Sequence, residues 1–485
     1  MLRPWKVNLR DQIDASRPVP LHMQIVHALI RDIEGGRLTT GTFLPSSRDL
    51  AAALGVNRKT VVLAYEDLIA QGWLESAGTR GTMVCASLSQ PVPARDQAAP
   101  MEEGADYDFA RPPERSLAVP EGRGIKLDEG APDGRLFPAE LLVRAFRHAI
   151  TQSSLNNGFQ YRDPRGTPAL RASIADMLRS ERGLMVEPDN ICITRGSQHA
   201  MFLAAKVLIR PGDCVIVEEL TYEPAVAAFR SCGAKVIPVP LDGEGIDAAA
   251  VEQVCRRERV RAVFLTPHHQ FPTTIALRPH RRLRILDLAR QFGFAVIEDD
   301  YDHEFHFQGQ PLLPMAAYAP RQVIYVGSLS KLLLPALRIG YLVAPVAVID
   351  AVAHMVSLVD GMGSTVTEQA AHELIESGEL RRHARKVRPI YARRRASFAA
   401  ALDRHFGDSA DYTMPDGGLA FWLRFRDPAM LDRIEAKAPA RGLRFAASAS
   451  FQASDQAPRG LRLGFASLGE QEARDAVATL RALAN

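Results

Sequence analysis

Residues 323–340 read VIYVGSLSKLLLPALRIG. The run Val323–Val326 is apolar and largely β-branched, the composition of a buried strand. It ends in Ser328, Ser330 and Lys331, and Arg338 follows seven residues after the lysine. An amine just past a core strand, beside two hydroxyls and close to a guanidinium, stands among groups that suit a phosphate.

Outward from this stretch the same pattern repeats. Short apolar runs fall at NICIT (190–194), CVIVEE (214–219), KVIPVP (235–240), AVFLTP (262–267) and FAVIEDD (294–300). Helix-like segments such as HAMFLAAKVLIR and RPHRRLRILDLARQFG lie between several of them. Strands alternating with helices predict a mostly parallel sheet with helices on both faces. In such sheets ligands bind beyond the carboxyl ends of the strands.

Four post-strand segments carry the chemistry. Arg195-Gly196-Ser197-Gln198-His199 is a glycine turn opening a helix, whose free N–H groups form an anion site. PHHQFPTT (267–274) follows AVFLT, and Asp299-Asp300-Tyr301 follows FAVIE. The fourth segment holds Ser328, Ser330, Lys331 and Arg338. Each alone has a plainer meaning as a cap, a turn or a solvated helix start. Together, an amine, an aspartate, a phenol and a phosphate cradle are what pyridoxal 5'-phosphate needs. The lysine forms the Schiff base, a carboxylate keeps the pyridine nitrogen protonated, and the phenol hydrogen-bonds the ring hydroxyl.

On these motifs, residues 125–485 resemble the fold-type I aminotransferase module, an α/β fold dependent on pyridoxal phosphate. The resemblance implies Lys331 as the Schiff-base lysine, Asp299 as the pyridine partner and Tyr301 as the ring-hydroxyl partner. It further implies Ser328, Arg338 and the Gly196-Ser197-Gln198 turn as phosphate ligands, and Tyr222 as the aromatic stacked on the cofactor ring. Tyr161, in YRDPRG, matches a tyrosine that reaches the phosphate of the neighbouring subunit, which implies a homodimer. Arg462, in LRLGFA, matches the arginine that clamps a substrate carboxylate. One motif departs: the family's Asn-Pro-Thr-Gly is here Phe271-Pro272-Thr273-Thr274, so the asparagine that contacts the ring hydroxyl is a phenyl group. That weakens the case for efficient transamination and leaves cofactor binding intact.

The first 85 residues read differently. PLHMQIVHALIRDIEGGRL (20–38) places Leu21, Ile25, Leu29 and Ile33 on one helical face ended by Gly35-Gly36. SRDLAAALG follows Ser46, and a third helix starts at Asn57, an N-cap residue type, and runs to Gly72. Two helices joined by a tight glycine turn predict a helix-turn-helix, and WLESAGTRGTMV predicts a β-wing of two short strands about Ala77–Gly81. Asn57, Arg58, Lys59 and Thr60 sit at the end of the recognition helix that enters the major groove, while Arg48 and Arg80 suit phosphate.

This stretch resembles the GntR-type winged helix, in which the positions of Arg48, Arg58, Lys59, Thr60 and Gly81 contact DNA. Ala86–Gly124 is rich in proline, alanine and charge and reads as a linker. The expected domains are therefore 1–85, a linker at 86–124, and 125–485. Winged helix, linker and aminotransferase-like module in that order resemble the MocR/GabR-like family of bacterial transcriptional regulators. The resemblance implies a double-stranded DNA operator, a small amine or amino-acid effector (or pyridoxal phosphate itself) and a head-to-tail homodimer. An aminotransferase with a small appendage, and a repressor whose large module only dimerises, are the competing readings. Intact Lys331, Asp299 and Arg338 argue against a mere scaffold; Phe271 and the basic recognition helix argue against the plain enzyme.

Bulk composition fits. At 485 residues the chain exceeds one ordinary domain, and a net charge of +3 is too small to argue for nucleic acid by itself. No apolar run reaches the ~18 residues that span a bilayer, and the start MLRPWKVNLRDQ lacks a signal-peptide core. Five scattered cysteines without a C-x-x-C read as buried hydrophobes in a reducing cytoplasm, with no metal site expected. The basic run RRHARKVRPIYARRR (381–395) reads as a solvated helix of the C-terminal subdomain or an auxiliary DNA contact.

Overall fold

The computed structural model describes residues 9–88, 108, 123–128, 130–309 and 312–484. The chain divides into two compact units, Met1–Pro112 and Pro113–Asn485, each described by itself. Most of the expected linker, 89–107 and 109–122, lies outside the described residues. Among the described residues no helix is long and apolar enough to cross a membrane.

The first unit holds α1 (Leu21–Glu34), α2 (Ser47–Leu54), α3 (Arg58–Ala70), β1 (Leu74–Ser76) and β2 (Thr82–Val84). Ile25, Leu29 and Ile33 of α1 pack with Leu50, Val61, Ala64, Leu68, Leu74 and Val84 into one core. Ser46 caps α2 by accepting from the Asp49 N–H at 3.2 Å, and Asn57 caps α3 through the Lys59 N–H at 2.9 Å. Gly55 adopts the left-handed conformation that turns α2 toward α3. The Tyr65 hydroxyl donates to the Pro45 carbonyl at 2.9 Å, tying α3 to the approach to α2. The wing strands flank the expected stretch: β1 and β2 pair antiparallel from Leu74↔Val84 to Ser76↔Thr82, and residues 77–81 form the tip.

The second unit is built on a seven-stranded sheet. Its strands are β3 (Ile191–Thr194), β4 (Cys214–Glu218), β5 (Lys235–Val239), β6 (Val260–Leu265), β7 (Ala295–Asp300), β8 (Val323–Ser328) and β9 (Gly340–Val343). The order across the sheet is β3-β9-β8-β7-β6-β4-β5. All neighbours pair parallel except β9, which runs antiparallel to both β8 and β3. That strand, GYLV after Arg338, was missed from sequence because four residues show no clear period. Pro238 is tolerated because β5 is an edge strand.

Helices cover both faces, among them α4 (Pro168–Arg182), α5 (Ser197–Leu208), α6 (Glu223–Ser231) and α7 (Pro279–Phe292). The two faces of the sheet bury separate cores, one including Val263, Val296 and Tyr325, the other Phe264, Ile297 and Val326, as strand alternation requires.

A smaller C-terminal layer centres on α8 (Glu379–Phe406) and a three-stranded antiparallel sheet of β10 (Ala410–Asp411), β11 (Ala420–Phe425) and β12 (Leu461–Gly464). The basic run 381–395 lies within α8, where several arginines are engaged locally. Arg381 pairs with Glu181, Arg382 with Glu379 and Arg394 with Asp133, and Arg395 lies over the Phe307 ring. All five cysteines are free. Cys192, Cys214 and Cys255 are buried as expected, but Cys85 and Cys232 are only half-buried.

Candidate functional site

The carboxyl ends of β3, β4, β6, β7 and β8 bring residues 196–198, Tyr222, Phe271, Asp299, Tyr301, Ser328, Lys331 and Arg338 to one edge of the sheet. After β3, Gly196 takes φ +79° and starts α5, so the N–H groups of Ser197 and Gln198 are the unbonded donors of a helix start. A Cβ at Gly196 would lie 2.9 Å from Arg338 Nη2, so only glycine lets the guanidinium approach this turn. Arg338 itself adopts a left-handed φ of 54° and donates to the Arg195 carbonyl at 2.8 Å. Ser328, buried at the end of β8, accepts from the Ser330 N–H at 3.1 Å. Together these groups form an anion cradle of backbone donors, a hydroxyl and a guanidinium.

Lys331 lies half-buried beyond β8 and donates from Nζ to the Gly130 carbonyl at 2.5 Å. Asp299, near the end of β7, is 4 % exposed, and its Oδ1 is buried without a hydrogen-bond partner. Burial, reinforced by the negative charges of Asp300 and Asp302 and opposed by Lys331, pushes its carboxyl up to about 8. A buried carboxyl with one unpartnered oxygen, near a lysine, suits a group that brings its own positive charge. The pyridinium of pyridoxal phosphate is such a group, and the cradle suits its phosphate.

Around this pair stands an aromatic wall. Tyr222 donates to Gln198 Oε1 at 3.2 Å and meets Phe271 edge-on with ring centroids 5.2 Å apart. Phe271 packs against Tyr301 and Phe451, and the Arg462 guanidinium lies 4.5 Å above its ring. Arg462, 1 % exposed, donates to the Pro272 carbonyl at 2.7 Å and to the Tyr301 hydroxyl at 3.2 Å. The Tyr301 hydroxyl in turn donates to the His269 carbonyl at 2.8 Å. Tyr161 stands apart from this wall, 90 % exposed.

Two contributors escaped the sequence reading. The Gly130 carbonyl is a backbone acceptor and leaves no mark in a sequence. Gln270 organises the 267–274 loop: its amide donates to the carbonyls of Leu220 (2.6 Å) and Phe271 (2.7 Å), while its oxygen accepts from Thr273. Its position inside a polar post-strand run was the available signal.

In the first unit, Arg48, Asn57, Arg58, Lys59, Arg80 and Gly81 are all exposed, and Thr60 is half-buried. Arg58, on the first turn of α3, donates from Nε to Ser47 Oγ at 3.3 Å, which ties the start of α3 to the start of α2. Gly81 takes φ +108° at the wing tip with open space around it. A basic first turn on the second helix and a basic wing form the surface that a winged helix presents to a duplex.

A winged helix and an aminotransferase-type cofactor module on one chain define a cofactor-dependent DNA-binding regulator. Residues 21–84 match the family described as bacterial regulatory proteins, gntR family, and residues 123–480 match aminotransferase class I and II. The chain is 31% identical over 475 residues to the probable rhizopine catabolism regulatory protein MocR of Rhizobium meliloti, covering 97% of this chain and 94% of that one. It is 29% identical over 464 residues to the HTH-type pyridoxine biosynthesis transcriptional regulator PdxR of Corynebacterium glutamicum, covering 95% of each. Among solved structures, the α-aminoadipate aminotransferase LysN of Thermus thermophilus, complexed with N-(5'-phosphopyridoxyl)-L-leucine, matches with a TM-score of 0.69 at 29% identity, covering 74% of this chain and 92% of that one. The chain belongs to the MocR family of GntR-type transcriptional regulators, with an aminotransferase class I and II domain. Its cofactor is pyridoxal 5'-phosphate.

Proposed function

We propose that the protein holds pyridoxal phosphate on Lys331 and regulates transcription in response to a small amino compound, or to the cofactor itself. When bound, the cofactor supplies an aldehyde that condenses with amines and a pyridinium ring that withdraws electrons. The observation that carries this reading is Asp299, a buried carboxyl with an unpartnered oxygen, near Lys331 at the strand ends.

Around that pair the chain's own groups divide the work. Ser328, Arg338 and the N–H groups of Ser197 and Gln198 bind phosphate. Asp299 holds the ring nitrogen protonated, Tyr222 covers the ring, and the Tyr301 hydroxyl addresses the ring oxygen. Arg462 is the recognition group for an effector carboxylate, because a guanidinium pairs with it bidentately. Lys331 would hold the cofactor, and its Nζ otherwise donates to the Gly130 carbonyl at 2.5 Å. Effector binding then shifts two subunit arrangements only by its differential affinity for them. Arg48, Asn57, Arg58, Lys59, Thr60, Arg80 and Gly81 form the operator-binding surface. A homodimer, with Tyr161 reaching the neighbouring subunit's phosphate, places two winged helices on one duplex.

The test is to mix the purified protein with a panel of amino acids and follow the cofactor absorbance beside an operator gel shift. A slow spectral change accompanied by a change in operator affinity is expected. Rapid steady-state turnover with a keto acid and constant operator affinity would overturn the regulator mechanism in favour of an enzyme.

A further inference from the structure

Behind the cofactor edge, on the opposite face of β7 from Asp299, His268, Asp300 and His303 form a cluster that none of the roles above uses. One nitrogen from each imidazole and a carboxylate oxygen lie within 4.8 Å of one another. The three side chains are 4, 0 and 8% exposed. His268 Nδ1 is 3.5 Å from Asp300 Oδ1, and His303 Nδ1 is 3.1 Å from Asp300 Oδ2.

The protonation pattern gives the cluster its meaning. His268 Nε2 lies 2.5 Å from the Leu312 carbonyl, which can only accept, so Nε2 carries the proton. In the neutral ring Nδ1 then presents a lone pair. That lone pair faces Asp300 Oδ1, and His268 Nδ1, Asp300 Oδ1 and His303 Nδ1 are all buried without a hydrogen-bond partner among the described residues. Two electron-rich atoms 3.5 Å apart in a dry pocket repel unless a cation lies between them. A histidine whose second nitrogen donates to a carbonyl is also the usual arrangement of a metal ligand.

The surrounding charges permit a divalent ion. Arg182 and the Tyr325 hydroxyl engage Asp300 through Oδ2, leaving Oδ1 toward His268. Glu304 pairs with Arg182 and offsets its charge. Two imidazoles and one carboxylate form the donor set of borderline ions such as zinc and cobalt(II), with ligand bonds of about 2.0–2.2 Å.

We propose that His268, Asp300 and His303 bind one divalent transition-metal ion of the zinc class. The ion would clamp the loop after β6 to the end of β7 and the loop that follows it. These segments carry Phe271 and Tyr301, so metal occupancy stiffens the aromatic wall from behind.

The test uses full-length protein with its cofactor and without a polyhistidine tag. After chelator treatment and dialysis it is reloaded with cobalt(II) or zinc, then measured by elemental analysis and by visible absorbance beyond the cofactor band. The expected result is about one equivalent of metal per chain, a cobalt d–d band, and a raised melting temperature. His268→Ala and His303→Ala should lose the ion, and Lys331→Ala should keep it. Binding lost in Lys331→Ala but retained in both histidine variants would put the ion on the cofactor and overturn the proposal. Less than about a tenth of an equivalent in the parent protein would also overturn it. If the histidine variants do not fold, X-ray absorption on the zinc-loaded parent decides. Two imidazoles and a carboxylate oxygen are expected, and a shell of water or sulfur alone refutes the site.

Discussion

Replacing Asp299 with asparagine removes a charge while keeping the shape, and the structure sets the size of the effect. In the cofactor-free protein the Asp299 carboxyl is raised from 3.8 to about 8, first by burial and then by Asp300 and Asp302. The folded state therefore holds a proton that the unfolded chain releases near pH 4. Stability from this group is fully present below pH 4 and is lost as pH rises toward 8. The slope is about 1.4 kcal/mol per pH unit, for a total of about 6 kcal/mol. Relaxation and water entry reduce such totals, so about 2–4 kcal/mol is expected between pH 5 and 8. Glu218 and Glu298 are also raised by burial, to about 8 and about 7, but they are common to both proteins and cancel in the difference.

The assay is urea unfolding of cofactor-free parent and Asp299→Asn protein at several pH values. The parent should lose about 2–4 kcal/mol more than the variant across that window. The same variant should bind cofactor about 100-fold more weakly or worse, because it leaves the ring nitrogen without a counter-charge. Parallel pH profiles together with unchanged cofactor affinity would refute the assignment of Asp299.

Three further outcomes follow from the same geometry. Borohydride should fix the cofactor to Lys331, and Lys331→Ala should lose the visible absorbance; an identical spectrum in the variant would refute the attachment. Arg58→Ala should weaken operator binding by about 1–3 kcal/mol and relax preference at one base pair, measured by titration at fixed salt. Unchanged affinity would remove Arg58 from the interface. If two winged helices dock together, inserting half a helical turn between operator half-sites should weaken binding more than inserting a whole turn of about 10 base pairs. Equal affinities would rule out fixed two-site docking.

How much the sequence revealed depended on where the information resides. Strands β3 to β8 were legible because long β-branched runs mark buried parallel strands, whereas β9 is too short to show a period and is defined by its antiparallel pairing. Gly196 was legible as a turn, but its close approach to Arg338 is a tertiary fact. Phe271 was visible as a departure from a motif. That its ring supports Arg462 could not be read, because the two are brought together only by the fold. The 267–274 run was noticed as polar residues after a strand, yet neither Gln270 as organiser nor His268 as partner of Asp300 is encoded by local pattern.

The adjacent carboxyls at the end of β7 bring these observations together. Strand alternation turns Asp299 and Asp300 to opposite faces of the same sheet, and their surroundings drive them to opposite protonation states. Asp299 meets burial with little to offset it and is held up near 8. Asp300 is equally buried, yet its carboxyl is held well below the ordinary range, and the Arg182 guanidinium and the Tyr325 hydroxyl both engage its Oδ2. One carboxyl is thus neutral until a cation arrives, while its neighbour is a fixed anion already engaged through one oxygen. A two-residue motif therefore supplies a cofactor partner on one face and a charged anchor on the other. Moving either carboxyl across the strand would put a fixed anion in the cofactor site or leave Arg182 with Glu304 alone as its counter-charge, so register at this strand end sets both sites at once.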